Sequence, residues 1–130
     1  MTGVSAYAII GNFNVDQLFE DIWVKTPRDV VDYIMAKVVA TNGIDSIESI
    51  PAKSRVTEYV EARQWHMFLA IRVLNWSLSK AGDLYGKDHA TALHARKCII
   101  NAVSGFDKAF MRKYADVIRE CREYNSKMFI

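Results

Sequence analysis

Leu84-Tyr85-Gly86-Lys87-Asp88-His89-Ala90-Thr91-Ala92-Leu93-His94-Ala95 is the stretch on which the reading of this chain turns. Gly86 supplies the left-handed backbone that a tight helix-to-helix turn needs, and Asp88 caps the next helix by accepting from its free N–H groups. Lys87, Asp88, His89 and Thr91 are thereby gathered at a helix N-terminus. Such an end attracts phosphate through its unpaired N–H groups and its dipole, and a helix-turn-helix uses it to touch base edges.

Working outward, the pattern predicts a helix from about His89 to Val103, and before the turn a short helix capped by Ser77 and running through Leu84. A long helix, roughly Thr57 to Asn75, precedes these, with Val60, Met67, Phe68, Ile71 and Leu74 as its core stripe. Helix, short helix, tight turn, helix is the layout of a helix-turn-helix. Ala52-Lys53-Ser54-Arg55 leads into the long helix as a basic connector, whose Lys53 and Arg55 are, on the blander reading, only solvated charges.

Further out, Thr26-Pro27-Arg28-Asp29 opens a helix with an N-cap, a proline at the first position and an acid near the free N–H groups. Val30, Val31, Ile34, Met35 and Val38 share one face of it, and Asn42-Gly43 closes it. Ile44, Ile47 and Ile50 suggest a short helical turn that stops before Pro51. Beyond the break at Ser104-Gly105, helical spacing runs through Phe106, Phe110, Met111, Tyr114, Val117, Ile118 and Cys121, with Lys108, Arg112, Lys113, Arg119 and Arg122 on the wetter sides. This reads as one closing core helix. Residues 1–25 are read as an N-terminal arm or short helix: Tyr7, Ile9, Ile10 and Phe13 suit a short strand or an arm, broken at Gly11, and Asn14 is expected to cap a short helix carrying Leu18, Phe19, Ile22 and Trp23. The arm is expected to pack on its own domain or to serve as a homodimer or protein contact. The predicted fold is all-α, a compact multi-helix domain at 26–130 containing the helix-turn-helix.

Composition agrees. The chain has 130 residues, 51% hydrophobic, with only two prolines and six glycines, which suits one helical domain with a substantial core. A net charge of +2 permits a nucleic-acid partner but requires any basic surface to be local. Cys98 and Cys121 form no Cys-x-x-Cys pair, so reduced thiols in a cytoplasmic protein are expected. Met1 to Gly11 lacks a basic region and a cleavage site, and nothing reaches the ~18 apolar residues of a membrane span.

The run from Tyr85 to Ala95 resembles the signature of the DNA-binding C-terminal domain of the bacterial replication initiator DnaA, approximately F-G-G-R-D-H-T-T-V-L-H-A. Lys53-Ser54-Arg55, then Arg63-Gln64 and Met67, are similar to that family's K-S-R and R-Q-x-x-M segments at the same spacing. The resemblance covers about residues 26 to 122 and is strongest over 53 to 97. It implies a recognition helix in the major groove of double-stranded DNA carrying a TTATCCACA-type box, and a basic arm in the minor groove. By position it implies base contacts from Arg55, Lys87, Asp88, His89 and Ala90. Phosphate contacts would come from Lys53, Arg63, Gln64 and Thr91, and from the backbone N–H groups of Leu78 and Ser79. It implies a non-enzymatic, nucleoid-associated role in replication or transcription control, with no cofactor. The chain departs from the pattern in three places: one turn glycine is missing or replaced, Lys87 stands for Arg, and Ala90 stands for Thr. Lysine loses the bidentate fork and alanine keeps only a methyl contact, so box preference is expected to shift.

No counterpart of the initiator's ATPase module is expected among these residues. Gly82 to Asp88 superficially resembles a phosphate loop, yet its glycines are too close and Asp88 stands where Ser or Thr belongs. His94 and Cys98, one helical turn apart, invite a metal or nucleophile reading, but no second ligand cluster and no orienting third group accompany them. Helix packing is expected of both. Trp23, Trp65, Trp76 and Tyr85 read as core or rim aromatics rather than base-stacking platforms. Asp88 has a plain role as a cap, and Arg63 and Gln64 a plain one as solvent-facing groups. A second reading, from another class, is a protein-interaction module that keeps the helical fold, favoured by the low net charge and by Ala90.

Overall fold

The structure, a computed structural model, describes residues 26–130. The expectations for the arm, including Tyr7, Phe13, Leu18 and Trp23, lie outside the described residues. Helix α1 (Pro27–Thr41) begins with a capping box: the Asp29 N–H donates to Thr26 Oγ1 at 3.1 Å, and the Thr26 N–H donates to Asp29 Oδ2 at 3.2 Å. It ends at Asn42, after which Gly43 turns the chain with φ +69°. A 3-10 turn, Ile47–Ser49, leads into the connector before α2 (Thr57–Arg72). Then come α3 (Leu78–Gly82), a 3-10 turn at Asp83–Tyr85, α4 (His89–Ser104), α5 (Lys108–Lys113) and α6 (Ala115–Tyr124). There is no strand among the described residues, so the fold is all-α as the sequence predicts.

Two apolar clusters share α2. The larger joins Val31, Ile34, Met35 and Val38 of α1 to Trp65, Phe68 and Leu69 of α2, Ile99 and Val103 of α4, and Val117, Ile118 and Cys121 of α6. Trp65 is its hub, fully buried and packed against Phe68, Phe110, Tyr114 and Phe129 with ring centroids 5.3 to 6.2 Å apart. The smaller cluster joins Met67 and Ala70 of α2 to Ala81, Ala92 and Ala95, which fastens the helix-turn-helix to the rest. Its alanines let the helix backbones approach closely.

Several elements differ from the sequence reading. Helix α2 ends at Arg72 rather than Asn75, because Asn75 takes a left-handed φ of +57° and the Trp76 N–H returns to the Ala70 carbonyl at 3.1 Å. The expected closing helix is two helices. Asp107 caps α5 through the Phe110 N–H at 3.1 Å, and Tyr114 breaks the run with φ −109°, ψ 27°. A tertiary demand accounts for that break: the Tyr114 hydroxyl donates to Glu61 Oε1 at 2.6 Å and accepts from Asn42 Nδ2 at 3.0 Å. Phe106, read as a core residue, sits in the tight turn with φ +56° and is 71% exposed. The chain instead closes its core with Met128 and Phe129, the latter stacked on Phe68 at 5.5 Å.

Candidate nucleic-acid interface

The turn between α3 and α4 is built on two glycines with different tasks. Gly86 adopts φ +65°, the left-handed conformation expected of it. Gly82 has an ordinary helical φ of −61° but sits where a Cβ would lie 2.6 Å from both the Lys87 and the Asp88 carbonyl oxygens. The Lys87 N–H donates to the Gly82 carbonyl at 2.9 Å, so the end of α3 and the start of α4 are drawn into contact. The sequence reading weighs Gly82 only within a rejected phosphate loop and misses this packing role. The signal was the neighbourhood of small residues, Ala81-Gly82 facing Ala92 and Ala95.

Asp88 is the N-cap of α4: its Oδ1 accepts from the Thr91 N–H at 2.9 Å and from the Thr91 hydroxyl at 3.0 Å. These two bonds hold its carboxyl below the ordinary carboxylate range, so it is ionised at neutral pH. His89 and Ala90, the first two residues of α4, are exposed. The imidazole and the methyl group therefore stand at the open end of the helix, beside the Asp88 carboxylate.

Between the connector and α4 lies a cleft of about 570 Å³. Lys53, Ser54 and Arg55 form one wall and Lys87, Thr91 and His94 the other, with Arg63, Gln64 and Met67 of α2 between them. Lys53, Arg55, Arg63 and Lys87 bring four fixed positive charges to a lining that contains no carboxylate. In a chain of net charge +2 the cleft is thus a local positive patch, holding four of its 17 lysines and arginines in a concave place that focuses the field. Six of the residues singled out from the sequence, Lys53, Arg55, Arg63, Gln64, Lys87 and Thr91, meet in this cleft.

Leu78 and Ser79 stand apart from it as the first two residues of α3, where a helix leaves its N–H groups directed outward. Ser77 caps that helix by accepting from the Lys80 N–H at 3.1 Å.

Arg63 is not solvent-facing. It is 8% exposed, and its Nη1 and Nη2 donate to the carbonyls of Pro51 and Ser54, each at 2.6 Å. Burial draws its guanidinium below the ordinary arginine value, with Tyr85 acting in the opposite direction. His94, expected to pack between helices, is exposed and lines the cleft, with Nε2 at 3.3 Å from Cys98 Sγ. Its helical register, one turn beyond Thr91 on the same face, is what places it there. His66 Nδ1 of α2 and the Tyr85 hydroxyl share a 2.6 Å hydrogen bond, tying the long helix to the turn. Burial holds His66 below its ordinary value, against smaller upward pulls from Asp32 and Glu48, and raises Tyr85, so that a neutral imidazole meets a protonated phenol. Of the aromatics, Trp65 is in the core and Trp76 is half-buried with Lys80 Nζ 4.4 Å from its ring centre.

A long supporting helix, a short helix, a left-handed glycine turn and a capped helix with exposed polar residues at its start together define a helix-turn-helix domain. No helix of the described residues is long and apolar enough to cross a membrane. The chain belongs to the bacterial DnaA helix-turn-helix family, whose model matches residues 26–99. It is similar to the chromosomal replication initiator protein DnaA of Flavobacterium psychrophilum, 39% identical over 106 residues, which are 80% of this chain and 22% of that protein. The protein of the same name from Bacteroides thetaiotaomicron is 37% identical over 94 residues, 72% of this chain and 20% of the relative. That from Bacteroides fragilis is 50% identical over 76 residues, 58% of this chain and 16% of the relative. The chain thus spans about a fifth of the length of these relatives. No solved structure matches it.

Proposed function

We propose that this domain binds double-stranded DNA by sequence, with the start of α4 in the major groove and the connector 52–55 in the adjacent minor groove. The observation that carries the reading is the cleft. A protein that touches two neighbouring grooves must straddle the sugar-phosphate backbone between them, and the concave strip between α4 and the connector carries four cations and no carboxylate.

In this arrangement Arg55 enters the minor groove, whose negative potential favours arginine. Lys87 donates to guanine O6 or N7, the free oxygen of Asp88 accepts from a cytosine amine, and His89 and Ala90 meet the next base edges. Lys53, Gln64 and Thr91 face the phosphates, with the Arg63 charge below them and the N–H groups of Leu78 and Ser79 on the far strand. In the free protein the Thr91 hydroxyl and N–H both donate to Asp88 Oδ1, so in this reading the hydroxyl turns from Asp88 to donate to the phosphate. On this reading the domain acts in replication or transcription control through DnaA-type boxes, and the relatives' name, chromosomal replication initiator protein, supports the first of these roles.

The test is fluorescence anisotropy of labelled duplexes, one with a TTATCCACA-type box and one scrambled, over a salt series. Preference for the box by ~10³-fold is expected. Log affinity should fall with log salt at about −0.9 per neutralised phosphate. Equal affinity for the two duplexes sinks the reading of sequence, and salt-insensitive affinity sinks the phosphate-straddling cleft.

A further inference from the structure

We infer that Arg63 is the positioning residue of the DNA-reading arm, fixing the direction of Arg55 rather than acting chiefly as a phosphate contact. The inference rests on the duplex-reading proposal and deepens it. Arg63 is 8% exposed, and its two terminal nitrogens each donate at 2.6 Å to main-chain carbonyls three residues apart, Pro51 and Ser54. The planar fork of a guanidinium can hold two acceptors at a set separation, whereas an ammonium is a compact point charge.

Drawing both carbonyls onto one rigid group on α2 closes the connector 51–54 into a fixed loop. The Val56 N–H adds a bond to Ser54 Oγ at 3.1 Å on the far side of Arg55. Arg55 is therefore bracketed by two anchored residues while remaining exposed itself. A connector held in this way has already lost the main-chain freedom that DNA would otherwise have to remove on binding, which favours affinity through preorganisation.

The two roles of Arg63 part at a conservative substitution. Arg63→Lys keeps the charge a phosphate would see and loses the fork. If Arg63 positions the arm, R63K weakens box binding about tenfold, comparable to Arg55→Ala and to the loss of one base-reading contact. The same change made in the Arg55→Ala background then costs less than twofold, because the arm has nothing left to aim. Full affinity of R63K, or costs that multiply in the double variant, overturns the inference.

A readout without DNA separates this from failure of the DNA reading. Hydrogen exchange at the Val56 amide should speed up in R63K while the amides of α4 exchange as in the wild type. Unchanged Val56 exchange overturns the positioning role whatever the duplexes do. A wild-type chain that treats box and scrambled duplex alike overturns the DNA reading, and faster Val56 exchange in R63K then still supports the clamp.

Discussion

Gly82→Ala is the substitution at which two physical effects of opposite sign meet. By propensity it should stabilise: Gly82 has φ −61° and ψ −34°, an ordinary helical conformation, where alanine gains about 0.5–1 kcal/mol over glycine. By packing it should destabilise, since the new methyl carbon would lie 2.6 Å from the carbonyl oxygens of both Lys87 and Asp88. An unstrained contact needs about 3.5 Å, so roughly 0.9 Å must be found. Neither obstacle is a side chain that can rotate away; both are main chain, at the junction of the turn and the cap of α4. Overpacking costs about 1–3 kcal/mol, and two rigid main-chain obstacles put it in the upper half of that range, so against the propensity gain packing wins by about 1–2.5 kcal/mol.

For a domain of this size that is a fall in Tm of about 3–8 °C. Urea and thermal melts followed by circular dichroism check it, with an unchanged m-value confirming that the denatured state is not the source. The displacement falls between α3 and α4, so duplex preference should fall together with stability. A G82A variant that melts at or above the wild-type temperature would refute the reasoning, because it would show that propensity, and not the approach of α3 to α4, decides this position.

Other outcomes follow from the same contacts. His89→Ala should weaken binding to the box by about tenfold or more and leave the scrambled duplex unaffected, by anisotropy; equal losses on both would count against base reading. Tyr114→Phe removes the hydroxyl that joins Glu61 and Asn42 and should cost about 1–2 kcal/mol in a urea melt, with no loss expected if solvent replaces both bonds. His66 titrates lower in the folded chain than its ordinary 6.5, chiefly through burial. The unfolded chain therefore takes up the proton first, and stability should decline as pH falls below 6.5 towards the folded value. Urea melts at pH 7.5 and 5.5 should show a smaller decline in His66→Phe, and equal declines would assign the effect to other groups.

The helices and the turn were legible because their signals are local. Thr26, Ser77 and Asp88 each cap the helix that follows, and Gly86 takes the positive φ its turn requires. What escaped was set by contacts between distant parts of the chain. Nothing near Tyr114 announces a helix break; the break exists because its hydroxyl is held by Glu61 and Asn42, 53 and 72 residues away. Phe106 fits a helical stripe by spacing and is expelled by the turn it occupies, while Met128 and Phe129, beyond the last periodic position, fold back to fill the core. The site divides in the same way. The residues at the start of α4, and His94 one turn further on, follow from the cap, the turn and the helical register, whereas the burial of Arg63 depends on how the connector lies across α2.

That dependence makes α2 the element that sets the spacing of the whole interface. Arg63 holds the connector, His66 holds the turn through Tyr85, and Met67 packs on the alanines of the helix-turn-helix. These three stand at i, i+3 and i+4, so they project from one face of one helical turn. The two parts that would enter neighbouring grooves are therefore not joined by a flexible tether but fixed to adjacent points on the same rigid rod. An α-helix rises 1.5 Å per residue, so a change of one residue between Arg63 and His66 would also rotate one anchor by about 100° and turn it off the face. Substitutions at the start of α4, such as Lys87 and Ala90, leave this frame alone. On the proposed reading, changes of box preference are thus separable from the geometry that spans the backbone, and a family member would alter its target at those positions without rebuilding the clamp.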